Sequence, residues 1–391
     1  MASSFETRSQ FKTDSPIHQF TNSPTPTLQF QGSGNVFLPD FVVRSRRVVT
    51  PRGTRPAAVH IRGGKIIGVV DFDDAPTGCP VDDAGDAAML PGVVDTHVHV
   101  TGGFLRTTQA AAAGGITTII AMPVQDAVEE AACSVDVGFW ARVSVDTVRE
   151  IAGLAETGVF GFVGGHAPEA DLRVIMPAVR RVESILLVSD TCQTRVRHQS
   201  DTVIRLCGEF HIRTHLAHFS PSTDLAPIFH ARAARWPITA ETSSRDLYLV
   251  ESEADREDRE LLWAALAGGV LQMVVSDRSP LQLSLPVTWT EARARGYTLD
   301  QIAQWMCHAP ARLAGLDRKG AIDVGYDADF VVFDSEAEFK PALTPYLGHR
   351  LRGLVQRTYL RGTRIYQNGA PFPSPCGKLL LRARGHAEPR T

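Results

Sequence analysis

The sequence has few cysteines, no long apolar stretch and little net charge, and each shortage excludes a class of protein. Its six cysteines among 391 residues form no Cys-x-x-Cys pair, which argues against zinc–thiolate, redox and disulfide motifs. We expect buried free thiols in a reducing cytoplasm. No apolar run approaches the ~20 residues of a membrane helix. A formal net charge of -3 gives no field of one sign for nucleic acids or a membrane surface.

The N-terminal segment is rich in Ser, Thr, Gln and Pro and lacks the continuous apolar core of a secretory signal. We predict that residues 1–34 form a disordered tail. A transit peptide and an incorrectly assigned chain start are the alternatives.

Alternating apolar residues near both ends of the chain predict a small β-domain built from both termini. Residues 57–70 alternate on either side of Gly63–Gly64, which indicates a hairpin. Runs of similar character occur at 36–51, 325–334 and 354–369. We therefore predict a small β-sandwich formed by residues 35–90 and 318–391.

Between these ends, short apolar runs alternate with helix-like or loop segments. The runs lie at 89–100, 116–124, 135–140, 158–163, 185–190, 213–219, 237–242 and 271–277. Buried parallel strands read as continuous apolar runs. An open doubly wound sheet would give similar runs, but eight of them favour a closed (β/α)8 TIM barrel over residues 91–317.

Polar residues at the ends of barrel strands are the candidates for chemistry, because active sites of such barrels lie at that end. His97 and His99 are two apart on the first strand, face the same side and can bind one metal ion through neutral nitrogens. Asp277 follows the last strand and can ligate a metal or accept a proton from water. The alternatives are a polar strand end without a metal and, for Asp277, a helix N-cap.

Two further histidines lie on the sixth run. Their spacing of three places His215 and His218 on opposite faces, so only one can face the barrel mouth. We predict that His218 is a fourth metal ligand, a proton shuttle or a donor to the substrate. His215 is predicted to be packed or directed outward.

Five segments carry a family resemblance that extends over roughly residues 36–385. They are residues 90–100, 110–123, 215–220, 258–280 and 343–369. Together they resemble the cyclic amidohydrolases, the family of allantoinase, hydantoinase and dihydroorotase. The resemblance implies the barrel with a small β-domain, hydrolytic opening of a cyclic amide or ureide by a metal-activated water, and a dimer or tetramer.

The resemblance also implies a metal site in which two ligands are missing. Its retained ligands are His97, His99, Asp277 and His218. Val163 occupies the position of the family's carbamylated lysine, which bridges two metals, and Ser189 occupies the position of a histidine. We therefore predict at most one ion, zinc, and no carbamylated lysine. His166 is an alternative ligand.

Residues at the predicted mouth also depart from the family pattern. Arg278 and Arg245 each replace a histidine, and Gln125 replaces an asparagine; with Ser189 they are the predicted substrate contacts. Two guanidinium groups directed inward would favour an anionic substrate. The alternative is that they face solvent or pair with Glu241 or Asp246.

Three functions remain open from the sequence. The first is a divergent amidohydrolase that opens or closes a small cyclic amide, imide or ureide, with Asp277 as base. The second is a non-hydrolytic enzyme of specialised metabolism that reuses the pocket. The third is an inactive pseudo-amidohydrolase with a scaffold role. Allantoin itself is the least favoured substrate, because the loops that would position it are shortened.

Overall fold

The structure, a computed structural model, describes residues 38–123, 133–165, 167–189, 198–217, 225–250 and 252–382. The predicted tail at 1–34 lies outside the described residues.

The described chain begins with strands of a small sheet. They are β1 (Phe41–Thr50), β2 (Gly53–Arg62), β3 (Lys65–Val70), β4 (Val81–Asp83) and β5 (Ala88–Pro91). The predicted hairpin is confirmed, because β2 and β3 are antiparallel with Arg62 opposite Lys65. Gly63 and Gly64 have φ of 54° and 76°, values that glycine adopts without strain.

All eight central apolar runs form parallel strands of one barrel. These strands are β6 (Val93–Val98), β7 (Ile116–Ala121), β8 (Asp136–Val143), β9 (Gly161–Gly164), β10 (Leu186–Ser189), β11 (Thr214–Ala217), β12 (Ile238–Ser243) and β13 (Met273–Val275). They are hydrogen-bonded in chain order, and a parallel bridge between Val98 and Asp277 joins the two ends. This order confirms the predicted barrel over an open doubly wound sheet.

Helices follow the barrel strands and cover the barrel. They are α1 (Phe104–Ala113), α2 (Ile151–Glu156), α3 (Glu169–Arg181), α4 (His198–Phe210), α5 (Leu225–Ala233), α6 (Glu253–Ala267), α7 (Ser284–Ala294), α8 (Leu299–Ala303) and α9 (Ala309–Ala314). A π-helical turn, Gln304–His308, joins α8 to α9. In α3, Leu172, Ile175, Met176 and Val179 are buried, at the spacing that one helix face presents to a core.

The last three strands return to the small sheet. They are β14 (Phe330–Phe339), β15 (Leu351–Leu360) and β16 (Thr363–Gln367). The sheet is continuous in the order β16-β15-β14-β5-β1-β2-β3, with β4 also paired to β1. The prediction that both chain ends build one small β-domain is therefore confirmed. Among the described helices, none is long and apolar enough to cross a membrane.

An apolar cluster fills the inside of the barrel below the strand ends. Its members include Ile120, Trp140, Val163, Leu187 and Met273, which come from five different strands. Because the interior is packed rather than open, the polar residues above it face one end of the barrel only.

A buried network of charges joins the start of β8 to the small domain. The Lys319 ammonium lies 2.8 Å from Asp136 Oδ2 and 2.5 Å from Asp329 Oδ2, and the Arg361 guanidinium lies 2.6 Å from Asp136. Residues 376–382, which the predicted boundary assigns to the small β-domain, hydrogen-bond to the barrel as well as to Arg361 of the small domain. Their backbone pairs with the chain around the start of β8, beside the network.

Replacing Lys319 by methionine is expected to lower the free energy of unfolding by about 3–5 kcal/mol, because Asp329 and Asp136 would stay buried with less positive charge beside them. Urea unfolding followed by circular dichroism measures the change. Lys340→Met, at an exposed position, is the matched control. An equal loss in both variants would contradict this reading of the network.

Candidate metal centre

Three predicted ligands converge at the C-terminal end of the barrel strands. Oδ1 of Asp277 lies 3.6 Å from Nε2 of His97 and 3.6 Å from Nε2 of His99, and one donor atom from each residue lies within 4.8 Å of the others. A separation of 3.6 Å is too long for a hydrogen bond. It is close to the roughly 3.4 Å edge of a tetrahedron with zinc–ligand bonds of ~2.1 Å. The three residues therefore fit one metal ion.

Backbone geometry brings the carboxylate to the imidazoles. His97 lies within β6 and His99 just after it. The Asp277 backbone bridges to Val98, the residue between the two histidines. Asp277 adopts a φ of 49°, a left-handed conformation that is uncommon outside glycine and often marks functional positions. The closed barrel thus places its last strand end directly beside its first.

A buried carboxylate, which the sequence analysis did not assign to the site, orients His97. Oε1 of Glu241 lies 2.6 Å from Nδ1 of His97, so that Nδ1–H donates to Glu241 and the lone pair of Nε2 faces the other two ligands. The second oxygen, Oε2, accepts from Nε2–H of His215 at 2.9 Å. Nδ1 of His215 lies 2.8 Å from the Thr239 hydroxyl, which donates to a neutral imidazole.

This row of hydrogen bonds keeps Glu241 ionised inside the protein. Burial by itself would raise the pKa of Glu241, but the nearby His215 and His97 outweigh it and lower the pKa to about 2. Glu241, His97 and His215 are each at most 1% exposed. The carboxylate is therefore a fixed negative charge behind the candidate metal ligands.

A second buried carboxylate links the first and last strands of the barrel. Oδ1 of Asp95 accepts from the backbone N–H of His97 at 3.0 Å, and Oδ2 accepts from the backbone N–H of Ser276 at 3.0 Å. Burial raises the pKa of Asp95 to about 6, against the lowering effect of these hydrogen bonds. Asp95 thereby holds together the two chain segments that carry the candidate metal ligands.

Comparisons with known proteins agree with this architecture. The chain is 35% identical to allantoinase from Streptomyces avermitilis over 441 aligned positions, which cover 88% of this chain and 99% of that protein. The chain belongs to the cyclic amidohydrolase family. A sequence profile of the Amidohydrolase family matches residues 190–365, and one of the allantoinase composite domain matches residues 38–80. Allantoinase from Arabidopsis thaliana is 29% identical, over 87% of this chain and 90% of that protein.

Solved structures share the fold of this amidohydrolase. L-Hydantoinase (dihydropyrimidinase) from Arthrobacter aurescens superposes with a TM-score of 0.79 at 21% identity, over 88% of this chain and 100% of that one. Dihydropyrimidinase from Brevibacillus agri gives a TM-score of 0.76 at 20% identity, again over 88% and 100%. The family consists of hydrolases that act on cyclic amide C–N bonds, which confirms the predicted enzyme class.

The interior of this amidohydrolase explains how Val163 and His215 are placed. Val163, Leu187 and His215 lie side by side on β9, β10 and β11, and Val163 packs in the apolar interior cluster. The fourth strand therefore offers an apolar surface where the family resemblance implies a bridging ligand. His215 is packed, as one of the two predicted alternatives states, and its contact with Glu241 is the part that the sequence analysis missed.

Of the remaining predicted residues, the structure describes the side chains of two, Arg245 and Arg278. His218, Gln125 and His166 lie outside the described residues, and the structure describes only the backbone of Ser189, at the end of β10. Arg245 and Arg278 are exposed. The pairing of Arg245 with Glu241, one of the alternatives, is not what the structure shows, because the oxygens of Glu241 bind the two imidazoles.

Proposed function

We propose that this amidohydrolase opens, or in reverse closes, a small cyclic amide, imide or ureide at a single zinc ion. The observation that carries the proposal is the convergence of His97, His99 and Asp277, with Glu241 behind them. Two imidazole nitrogens and one carboxylate oxygen leave a fourth position open, which is typical of catalytic zinc sites.

The protein's own groups support hydrolysis at this place. Zinc held there would lower the pKa of a bound water toward neutrality. Asp277, only 7% exposed, is placed to accept a proton from the attacking water and to return it to the ring nitrogen as the C–N bond breaks. The elements of water are then added with no net gain or loss of protons. His99, whose side chain is 41% exposed, marks the open side from which substrate enters.

The apolar environment of Val163 supports one ion rather than two. Two cations a few ångströms apart need a shared anionic ligand between them, because their repulsion is otherwise uncompensated. Val163 is 6% exposed and packs with Trp140 and Leu187, so the fourth strand supplies neither charge nor donor. A mononuclear centre is the arrangement that these residues favour.

Loop length and charge favour a substrate other than allantoin. The alignment with the Streptomyces protein spans 441 positions, more than the 391 residues of this chain, so this chain lacks segments that the relative has. The exposed guanidinium groups of Arg245 and Arg278 follow strands β12 and β13, at the end of the barrel where substrates bind. We propose that the substrate carries an anionic group, as a ring with a carboxylate does.

Replacing Asp277 by asparagine is expected to lower kcat for ring opening at least ~100-fold, because general base catalysis of this kind contributes about 10²–10⁴. The zinc-loaded protein would be assayed with dihydroorotate, hydantoin, dihydrouracil and allantoin. Asp86→Asn, which alters an exposed carboxylate of the small domain, is the control and should retain full activity.

Two outcomes of this assay would contradict the proposed hydrolase and favour one of the other two functions. Bound zinc without turnover of any of these rings would favour a non-hydrolytic enzyme that reuses the pocket. Absence of both zinc and turnover would favour a scaffold without catalysis. The proposal also includes a homodimer or homotetramer, which light scattering after size exclusion would test.

A further inference from the structure

A cavity of about 600 Å³ lies at the opposite end of the barrel from the metal centre. Its wall includes the first residues of neighbouring strands, Thr214 of β11, Ile238 of β12 and Met273 of β13. The metal ligands lie at or beyond the other ends of strands. A space of this size accommodates a small organic molecule, and it is separate from the site of the proposed reaction.

The charged residues of the wall are all of one sign. Arg213, Arg232 and Arg312 line the cavity, and among the described residues that line it none is Asp or Glu. Burial lowers the pKa of Arg232, which means that the surroundings disfavour its positive charge. An anion placed among these guanidinium groups would offset that cost and form charge-assisted hydrogen bonds.

Backbone carbonyl groups use part of this donor capacity. Arg213 donates to the carbonyl oxygen of Leu313, and Arg232 donates to that of Ile238, both at 3.3 Å. A guanidinium group has five N–H donors in a planar fork. Each of these bonds occupies one N–H group and holds its arginine at the cavity wall. Arg232 can therefore serve the fold and a ligand together.

The rest of the wall carries both apolar and polar side chains, the latter including Gln272, Gln301 and Gln304. Trp236, Trp305, Leu266 and Leu271 contribute to it. Trp236 is the partly exposed member of these four, since Trp305, Leu266 and Leu271 are at most 4% exposed. An inorganic ion would leave its ring uncovered, whereas an aromatic or aliphatic body would cover it, at roughly 25 cal/mol for each Å² of apolar surface. Shape and chemistry together select a molecule with one charged end.

We propose that this cavity binds a small organic anion, with its oxyanion against the arginines and its apolar body against Trp236. The ligand is separate from the substrate of the metal centre. Neither zinc nor hydrolytic activity is needed for this binding, so the binding experiment tests it independently of the proposed reaction.

Benzoate and benzamide test the proposal directly, because they share their shape and differ in charge. Isothermal titration calorimetry of the full-length protein is expected to show benzoate binding with a millimolar dissociation constant and benzamide binding at least ~10-fold more weakly. Inorganic phosphate, which has charge but no apolar body, is expected to bind more weakly than benzoate. Benzoate binding is expected to persist in His99→Ala, which separates this cavity from the metal centre.

Variants then locate the site. Arg312→Gln is expected to weaken benzoate binding about fivefold, as the loss of one partly exposed ion pair does. Arg180→Gln, with the same change of charge at an exposed position of α3, should bind as the wild type does. Equal affinities for benzoate and benzamide, no benzoate binding at all, or equal behaviour of the two arginine variants would each overturn the proposal.

Discussion

Replacing Glu241 by alanine is expected to destabilise the metal-free protein by about 3–5 kcal/mol, because it breaks a buried ionic cluster and leaves buried polar groups without their partner. His97 and His215 each lose the carboxylate oxygen that accepts their ring N–H. Zinc affinity is expected to fall at least ~10-fold, since partners behind metal ligands typically contribute about 10–100-fold. Urea unfolding in EDTA measures the first effect and elemental analysis of zinc-dialysed protein the second.

Two further substitutions sharpen this test of Glu241. Glu241→Gln keeps the size and one acceptor oxygen, so its loss of stability should be smaller than that of Glu241→Ala. Glu336→Ala removes an exposed carboxylate of the small sheet and should change little. If Glu241→Ala unfolds at the same urea concentration as the wild type in EDTA, the carboxylate does not support His97 as we describe.

Replacing either His97 or His99 by alanine is expected to abolish stoichiometric zinc binding, but only the first should alter the stability of the metal-free protein. His97→Ala removes a hydrogen bond to a buried charge, worth about 1.5–3 kcal/mol. His99 is partly exposed, so His99→Ala should change the free energy of unfolding by less than ~0.5 kcal/mol. Elemental analysis and urea unfolding in EDTA give the two readouts.

The contrast between the two histidines also separates metal binding from folding. Loss of zinc in both variants with loss of stability in one supports the centre as described. Full zinc occupancy in His99→Ala would show that the ion is held elsewhere.

The barrel could be predicted from the sequence because its strands are buried on both faces. Each of the eight runs is short, continuous and apolar, and each forms a strand at its predicted place. The convergence of the candidate ligands could be predicted for a related reason. In a closed barrel the first and last strands are neighbours, so His97, His99 and Asp277 meet although about 180 residues separate them in the chain.

The supporting residues could not be predicted in the same way. Spacing shows that His215 and His218 face different sides, but not which side is the interior, since that depends on register with Leu187 of the next strand. Glu241 lies within an apolar run, where its charge gives no sign of the two imidazoles it binds. The cavity with three arginines is assembled from strand starts and helices that are distant in sequence, so no local pattern marks it.

The hydrogen-bonded row Thr239–His215–Glu241–His97 limits which of these residues can be substituted during evolution. Substituting a histidine that also completes a hydrogen-bonded core lowers the stability of the fold, even in a descendant that does not bind zinc. His97 would thus persist under selection for folding alone, whereas the partly exposed His99 would be retained mainly by selection for metal binding. Among natural variants of this chain, the identity of residue 99 should therefore indicate better than that of residue 97 whether metal-dependent activity is retained.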